Sequence, residues 1–210
     1  MIRTWAADIT GLFEKEKYLQ YYKMVSEHRK TKADRLQIQA DRARSVGVWV
    51  LYQKMLQEYG VSEQVVYNLS HSGNYVMCSI DDSGFPERKL GCDLEQMRGV
   101  RLNVAKRFFC ESEYQRILHA SDGKAQEEWF YRLWVLKESF MKATRMGMRL
   151  DTRGFTFDFD EEERPYLVKQ PEAFAERYWF LEYRIAGADY KIAVCANCDQ
   201  FAKEIQVITL

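Results

Sequence analysis

Asp93 and Glu95 stand two residues apart in the segment GCDLE at 91–95. Alternate side chains of a β-strand share a face, so the two carboxylates would project together while Cys92 and Leu94 point into the core. Such a pair can hold a hard divalent cation such as Mg²⁺, which takes oxygen ligands. The commoner meaning of a lone pair of this kind is a strand with one wet face. A second set lies in FYRLWVLKESFMKATRMG at 130–147. Glu138 and Lys142 are four apart, one above the other on a helix, with Trp134 one turn earlier on the same row. Phe130, Leu133, Val135, Leu136, Phe140 and Met141 form a broad apolar stripe around them. A glutamate in that setting needs a partner charge or a metal to offset its desolvation. Third, NLSHSG at 68–73 brings two hydroxyls, an imidazole and turn N–H groups of the kind that cradle oxyanions, or it is an ordinary hairpin corner. Fourth, Arg29, Lys32 and Arg35 fall at spacing three, followed by Arg42 and Arg44. On one side of a helix they would meet a phosphate; a solvated face is the more common meaning.

The elements that must position these groups can be sketched from periodicity. IRTWAADI alternates and reads as a strand, and 13–30 and 34–58 read as helices, the second ending where Gly60 suits a C-cap. VVYNLS, YVMCSI and KLGCDLE read as strands, 102–119 and 125–146 as helices, and FTFDF, YWFLEYRI, YKIAVCA and IQVITL as late strands. The order of elements repeats, with a change near 96–101, although no residue-level repeat accompanies it. We therefore expect an α+β fold of two halves, 1–100 and 101–210.

Composition narrows the classes. A chain of 210 residues is one large domain or two small ones, long enough to build a core without disulfide or metal. With 47% apolar and 14% aromatic residues and a formal net charge of zero, the chain is no candidate for disorder. It also carries no global field for nucleic acid or an anionic membrane. No apolar run approaches the length of a membrane span, and MIRTWAADIT lacks the apolar core of a signal peptide. A cytoplasmic protein with its five cysteines reduced is expected. Cys195 and Cys198 form a CxxC with no second pair at zinc-finger spacing and read as strand-end residues.

Taken in order, NLSHSG, GCDLE, AKRFFCESEY at 105–114 and WVLKESFMK at 134–142 resemble the motifs of the Sfp-type 4′-phosphopantetheinyl transferases. The resemblance implies two similar α/β halves related by a pseudo-twofold axis, with coenzyme A in the cleft between them. It implies Mg²⁺-dependent transfer of 4′-phosphopantetheine from coenzyme A to a serine of an apo acyl or peptidyl carrier protein, releasing 3′,5′-ADP. Asp93, Glu95 and Glu138 match the family's metal ligands, and Lys142 the lysine that meets the pyrophosphate. Glu138 or Glu113 would accept the serine proton. Ser70 and His71 match phosphate-contacting residues, with His71 toward the 3′-phosphate, and Arg29, Lys32 and Ser45 take the basic and hydroxyl positions there. Lys137 would sit at the rim of the site, toward coenzyme A or the carrier. The G-[KR]-P segment of many relatives is absent; Tyr59-Gly60-Val61-Ser62 stands in its place. Arg98, Arg101, Lys106 and Arg107 offer a local basic patch for an acidic carrier. With both halves in one chain, a monomer is expected. A Mg²⁺-dependent nucleotide hydrolase could use the same carboxylates, and a non-catalytic coenzyme A or carrier-protein binder is the third class; neither gives the four motifs a shared reason.

Overall fold

The computed structural model describes all 210 residues. The chain forms two compact units, one of residues 1–86 and 202–210, the other of residues 87–201. The expected boundary near residue 100 is thus displaced, and the reason is strand pairing. The strand bearing Asp93 pairs with one about a hundred residues later, and the last strand returns to the first.

In the first unit, β1 (Ile2–Asp8) is followed by a 3-10 turn, α1 (Lys15–Met24), α2 (Glu27–Asp34), α3 (Gln39–Tyr59), β2 (Val66–Ser72) and β3 (Tyr75–Asp81). The terminal strand β9 (Gln206–Thr209) completes a sheet of order β2-β3-β1-β9. β1 and β2 both pair antiparallel with β3, whereas β9 runs parallel to β1. The helix expected over 13–30 is broken at Val25, because Ser26 caps a new helix by accepting a hydrogen bond from the Arg29 N–H at 3.4 Å. Gly60 does end α3, in the left-handed region at φ 62°. One face of α3 (Val46, Val50, Leu51, Met55) is buried in a core shared with Trp5, Ile9, Val76 and Ile80.

In the second unit, β4 (Leu90–Gln96) leads to α4 (Leu102–Phe108), α5 (Glu111–Leu118) and α6 (Gly123–Ala143). The strands β5 (Thr156–Phe159), β6 (Pro165–Lys169), β7 (Trp179–Tyr183) and β8 (Tyr190–Ala196) follow. β8 is central in an antiparallel β4-β8-β7 sheet, and β5 and β6 form a separate hairpin. The helix expected over 102–119 breaks at Phe109-Cys110, where Cys110 caps α5. α6 lies against β4 and β8. It comes so close to β4 that a Cβ on Gly91 would stand 2.0 Å from the Ser139 carbonyl oxygen and 2.4 Å from the Ala143 nitrogen. Only glycine permits that approach. Phe109, Phe130, Leu133, Leu136, Phe140, Phe155 and Phe157 fill the core on this side. No helix is long and apolar enough to cross a membrane.

Candidate functional site

The close packing at Gly91 sets the second unit's polar centre. Two residues further along β4, Asp93 projects toward the same helix and is 4% exposed. Its face of the strand is therefore covered by α6 and is not a wet one. The Lys142 ammonium donates to Asp93 Oδ1 at 2.8 Å and to the Cys92 carbonyl oxygen at 3.0 Å. Burial alone would lower the Lys142 pKa, but Asp93 in particular raises it above the ordinary value. The Glu138 carboxyl, one turn before Lys142 and half-buried, is raised as well: burial first, then the charge of Asp93, hold it above the ordinary glutamate value, against the pull of Lys142. Asp93, Glu138 and Lys142 thus form one electrostatically coupled group.

Glu95 is half-buried near the end of β4 opposite Lys191, and no three His, Cys, Asp or Glu side chains are gathered closely enough to hold a metal ion. The donor chemistry still suits Mg²⁺, which keeps several waters and is commonly bound by one or two carboxylates together with substrate phosphates. Two neighbouring acidic groups, with the charge of Asp93 raising the Glu138 carboxyl, fit that description.

Lys137 and Glu113 are corrections. Lys137 is 2% exposed and donates to the carbonyl oxygens of Thr152 and Phe155, both at 2.8 Å, and pairs with Glu113 at 3.0 Å. Its ammonium also lies 4.3 Å from the centre of the Phe155 ring. It does not sit at the rim of the site: five residues on a helix turn through about 140°, so Lys137 and Lys142 point apart. Burial lowers the Lys137 pKa, with Glu113 opposing. Glu113, 1% exposed, accepts from the Cys110 N–H with one oxygen and from the Phe157 N–H with the other, both at 2.9 Å. Both oxygens are engaged in structure, as the third residue of the α5 capping box and as the counter-ion of Lys137, which removes Glu113 as proton acceptor. Trp134 stacks among Phe108, Phe109 and Phe130 and is part of the packing.

The first unit holds the other predicted residues. NLSHSG is not a turn up to Ser72; it is β2, with the reversal at Gly73-Asn74. Ser70 is buried and His71 exposed, on opposite faces of the strand. Arg42 donates to the Leu36 carbonyl oxygen and Arg44 to that of Gly73, so these two serve the fold. Lys32 is exposed on α2. Arg29, on the same helix, is 7% exposed, and its guanidinium carbon lies 4.2 Å from the centre of the Trp49 ring. Arg29 Nε, Ser45 Oγ and Trp49 Nε1 are all buried without a hydrogen-bond partner. Trp49 was not singled out in the sequence; its one available signal is its position one helical turn after Ser45.

The sequence profile of the 4′-phosphopantetheinyl transferase superfamily matches residues 89–195, the span that holds Asp93, Glu138 and Lys142. The chain is 32% identical over 143 residues to 4′-phosphopantetheinyl transferase Sfp of Bacillus subtilis, covering 68% of this chain and 60% of that one. It is 31% identical over 159 residues to a second Bacillus subtilis 4′-phosphopantetheinyl transferase, covering 73% and 67%. The chain thus spans about 60% of the length of the first of these relatives. The holo-[acyl-carrier-protein] synthase of Thermotoga maritima superposes with a TM-score of 0.44 at 20% identity over 51% of this chain and 61% of that one, too distant to carry an argument. With more than half of its residues inside the profile, the chain belongs to the 4′-phosphopantetheinyl transferase superfamily.

Proposed function

We propose that this protein transfers the 4′-phosphopantetheine group of coenzyme A to a serine of an apo acyl or peptidyl carrier protein. The observation that carries the reading is the Asp93–Glu138–Lys142 group, a shielded pair of carboxylates with one ammonium on the GCDLE strand and the WVLKESFMK helix. The serine oxygen forms the new bond to the phosphorus that bears pantetheine. The bond from that phosphorus to the bridging oxygen breaks, and 3′,5′-ADP leaves. Glu138, half-buried beside Asp93, would accept the hydroxyl proton, directly or through a water. Lys142 donates to the phosphoryl oxygens as charge grows on them. Mg²⁺, held by Asp93 and Glu138, would supply neutralisation of the pyrophosphate.

In the first unit, Arg29 and Ser45 supply buried donors for the 3′-phosphate, supported by their lack of partners within the protein. Lys32 and His71 complete that set in this reading, and Ser70 contacts the phosphates of coenzyme A. Arg101, Lys106 and Arg107 are exposed and suit an acidic carrier. The enzyme so described works as a cytoplasmic monomer. Incubation with coenzyme A, Mg²⁺ and an apo-carrier, followed by mass spectrometry of the carrier, tests the reading. A gain equal to one phosphopantetheine is expected, and hydrolysis of nucleotides with the carrier unchanged would overturn it.

A further inference from the structure

Arg29 is a cation buried against an aromatic ring with no carboxylate to answer it. It is 7% exposed, no ion pair reaches it, and burial lowers its pKa below the ordinary arginine value, with Tyr67 opposing. The charge is held by Trp49 instead, whose ring centre is 4.2 Å from the guanidinium carbon. Trp49 is itself fixed: its ring lies 5.0 Å from that of Tyr52 and 6.3 Å, edge-on, from that of Tyr67. Tyr52 and Tyr67 are in turn 4.3 Å apart, which ties α3 to β2. An indole face binds a guanidinium by covering its plane, and it leaves the in-plane N–H groups available in their fixed fork. Nε lacks a partner, and so do the Ser45 hydroxyl and the Trp49 N–H one turn apart on α3.

We propose that Trp49 is the positioning residue of this anion site: its ring holds the Arg29 guanidinium in place so that the edge of the fork meets a phosphate monoester. The inference rests on the reading above only in taking that monoester to be the 3′-phosphate of the coenzyme A nucleotide. Without the ring, a long arginine side chain regains its rotamers, and the order lost must be restored each time the anion binds.

Binding of 3′,5′-ADP and of 5′-AMP, which differ by the 3′-phosphate, measures the site by titration calorimetry. The wild-type protein should prefer 3′,5′-ADP, and Arg29→Met should lose most of that preference. Trp49→Leu should reduce it about tenfold, while Trp49→Phe, which keeps a ring face, should keep it within about threefold. Arg29→Met/Trp49→Leu should lose no more than Arg29→Met alone. A merely structural role for Trp49 would weaken both ligands together and leave their ratio unchanged. Should Trp49→Leu fail to fold, 5-fluorotryptophan labelling of the otherwise unaltered protein gives a second readout. The Trp49 fluorine resonance, assigned with Trp49→Phe, should move with 3′,5′-ADP and not with 5′-AMP. An unchanged ratio in Trp49→Leu beside a lost one in Arg29→Met overturns the role of Trp49 and leaves the proposed function intact. A wild-type protein that does not distinguish the two nucleotides overturns the anion site and with it the role of Trp49, while the carrier assay decides the proposed transfer separately.

Discussion

Replacing Lys137 by methionine should unfold the second unit more readily and leave the chemistry largely untouched. The substitution keeps an unbranched apolar stem and removes three interactions at once: the pair with Glu113 at 3.0 Å and the two bonds to the Thr152 and Phe155 carbonyl oxygens at 2.8 Å. What remains is a carboxylate, 1% exposed, supported only by the Cys110 and Phe157 N–H groups. Breaking a buried pair by deleting one partner costs about 3–5 kcal/mol, most of it the desolvation of the ion left behind. The unmet carbonyls overlap with that figure and are not added to it. For a chain of this size each kcal/mol lowers the melting temperature by roughly 2–4 °C, so a fall of about 6–20 °C is expected. Urea unfolding followed by far-ultraviolet circular dichroism measures it, with Lys137→Met, Glu113→Gln and the double variant closing a thermodynamic cycle. The double variant should lose clearly less than the two single losses added together. A cost under about 1 kcal/mol for Lys137→Met, or additive losses, would refute the assignment. So would a raised KM for coenzyme A at unchanged stability, since that is the behaviour of a residue at the rim of a substrate site.

Lys142→Ala should behave oppositely, lowering turnover by about 10²–10³-fold, as loss of one oxyanion donor does, with a folded protein by circular dichroism; turnover within a factor of two of wild type would refute it. Gly91→Ala places a methyl group 2.0 Å from the Ser139 oxygen, so α6 must shift from β4. That should cost about 1–3 kcal/mol or more in urea unfolding, and turnover should fall with it. The Tyr22 phenol, bonded to the Asp34 carboxylate, is held up to about 12 chiefly by that bond. Asp34→Asn should therefore return one tyrosine toward 10.0, read by ultraviolet absorbance. Since the folded value is the raised one, any stability linked to Tyr22 is complete below pH 10.0 and is lost as the pH rises through about 12.

The centre of the site was legible because it depends on two short-range periods. Spacing two puts Asp93 on one face of β4 with Glu95, and spacing four puts Glu138 and Lys142 on one row of α6. What those periods omit is direction relative to the rest of the fold. Lys137 reads as a neighbour of Glu138, yet its inward aim follows from where α5 and the 152–155 segment lie, which no local pattern contains. Glu113 was expected to be catalytic from the family resemblance alone; its partners, Cys110, Phe157 and Lys137, include two that are distant in sequence. β6 was missed because a proline and the charged run EEER before it carry turn signals. The domain boundary was misplaced because β4 looks continuous with the strands before it, while its hydrogen bonds go to β8.

The pairing of β1 with β9 sets an order of events on the ribosome. The second unit is one continuous stretch, 87–201, and every contact it needs is available once that stretch has emerged. The sheet of the first unit is not complete then, because its fourth strand lies at 206–209 and pairs in parallel with residues 5–8. Joining positions two hundred apart is among the slowest kinds of contact to form, since the loop must close before any hydrogen bond rewards it. Until that happens β1 has an uncovered edge, with backbone donors and acceptors open to pairing with another chain. In the interval between the synthesis of β1 and the arrival of β9 that edge can pair with another chain, and slowing translation between the two strands would lengthen it.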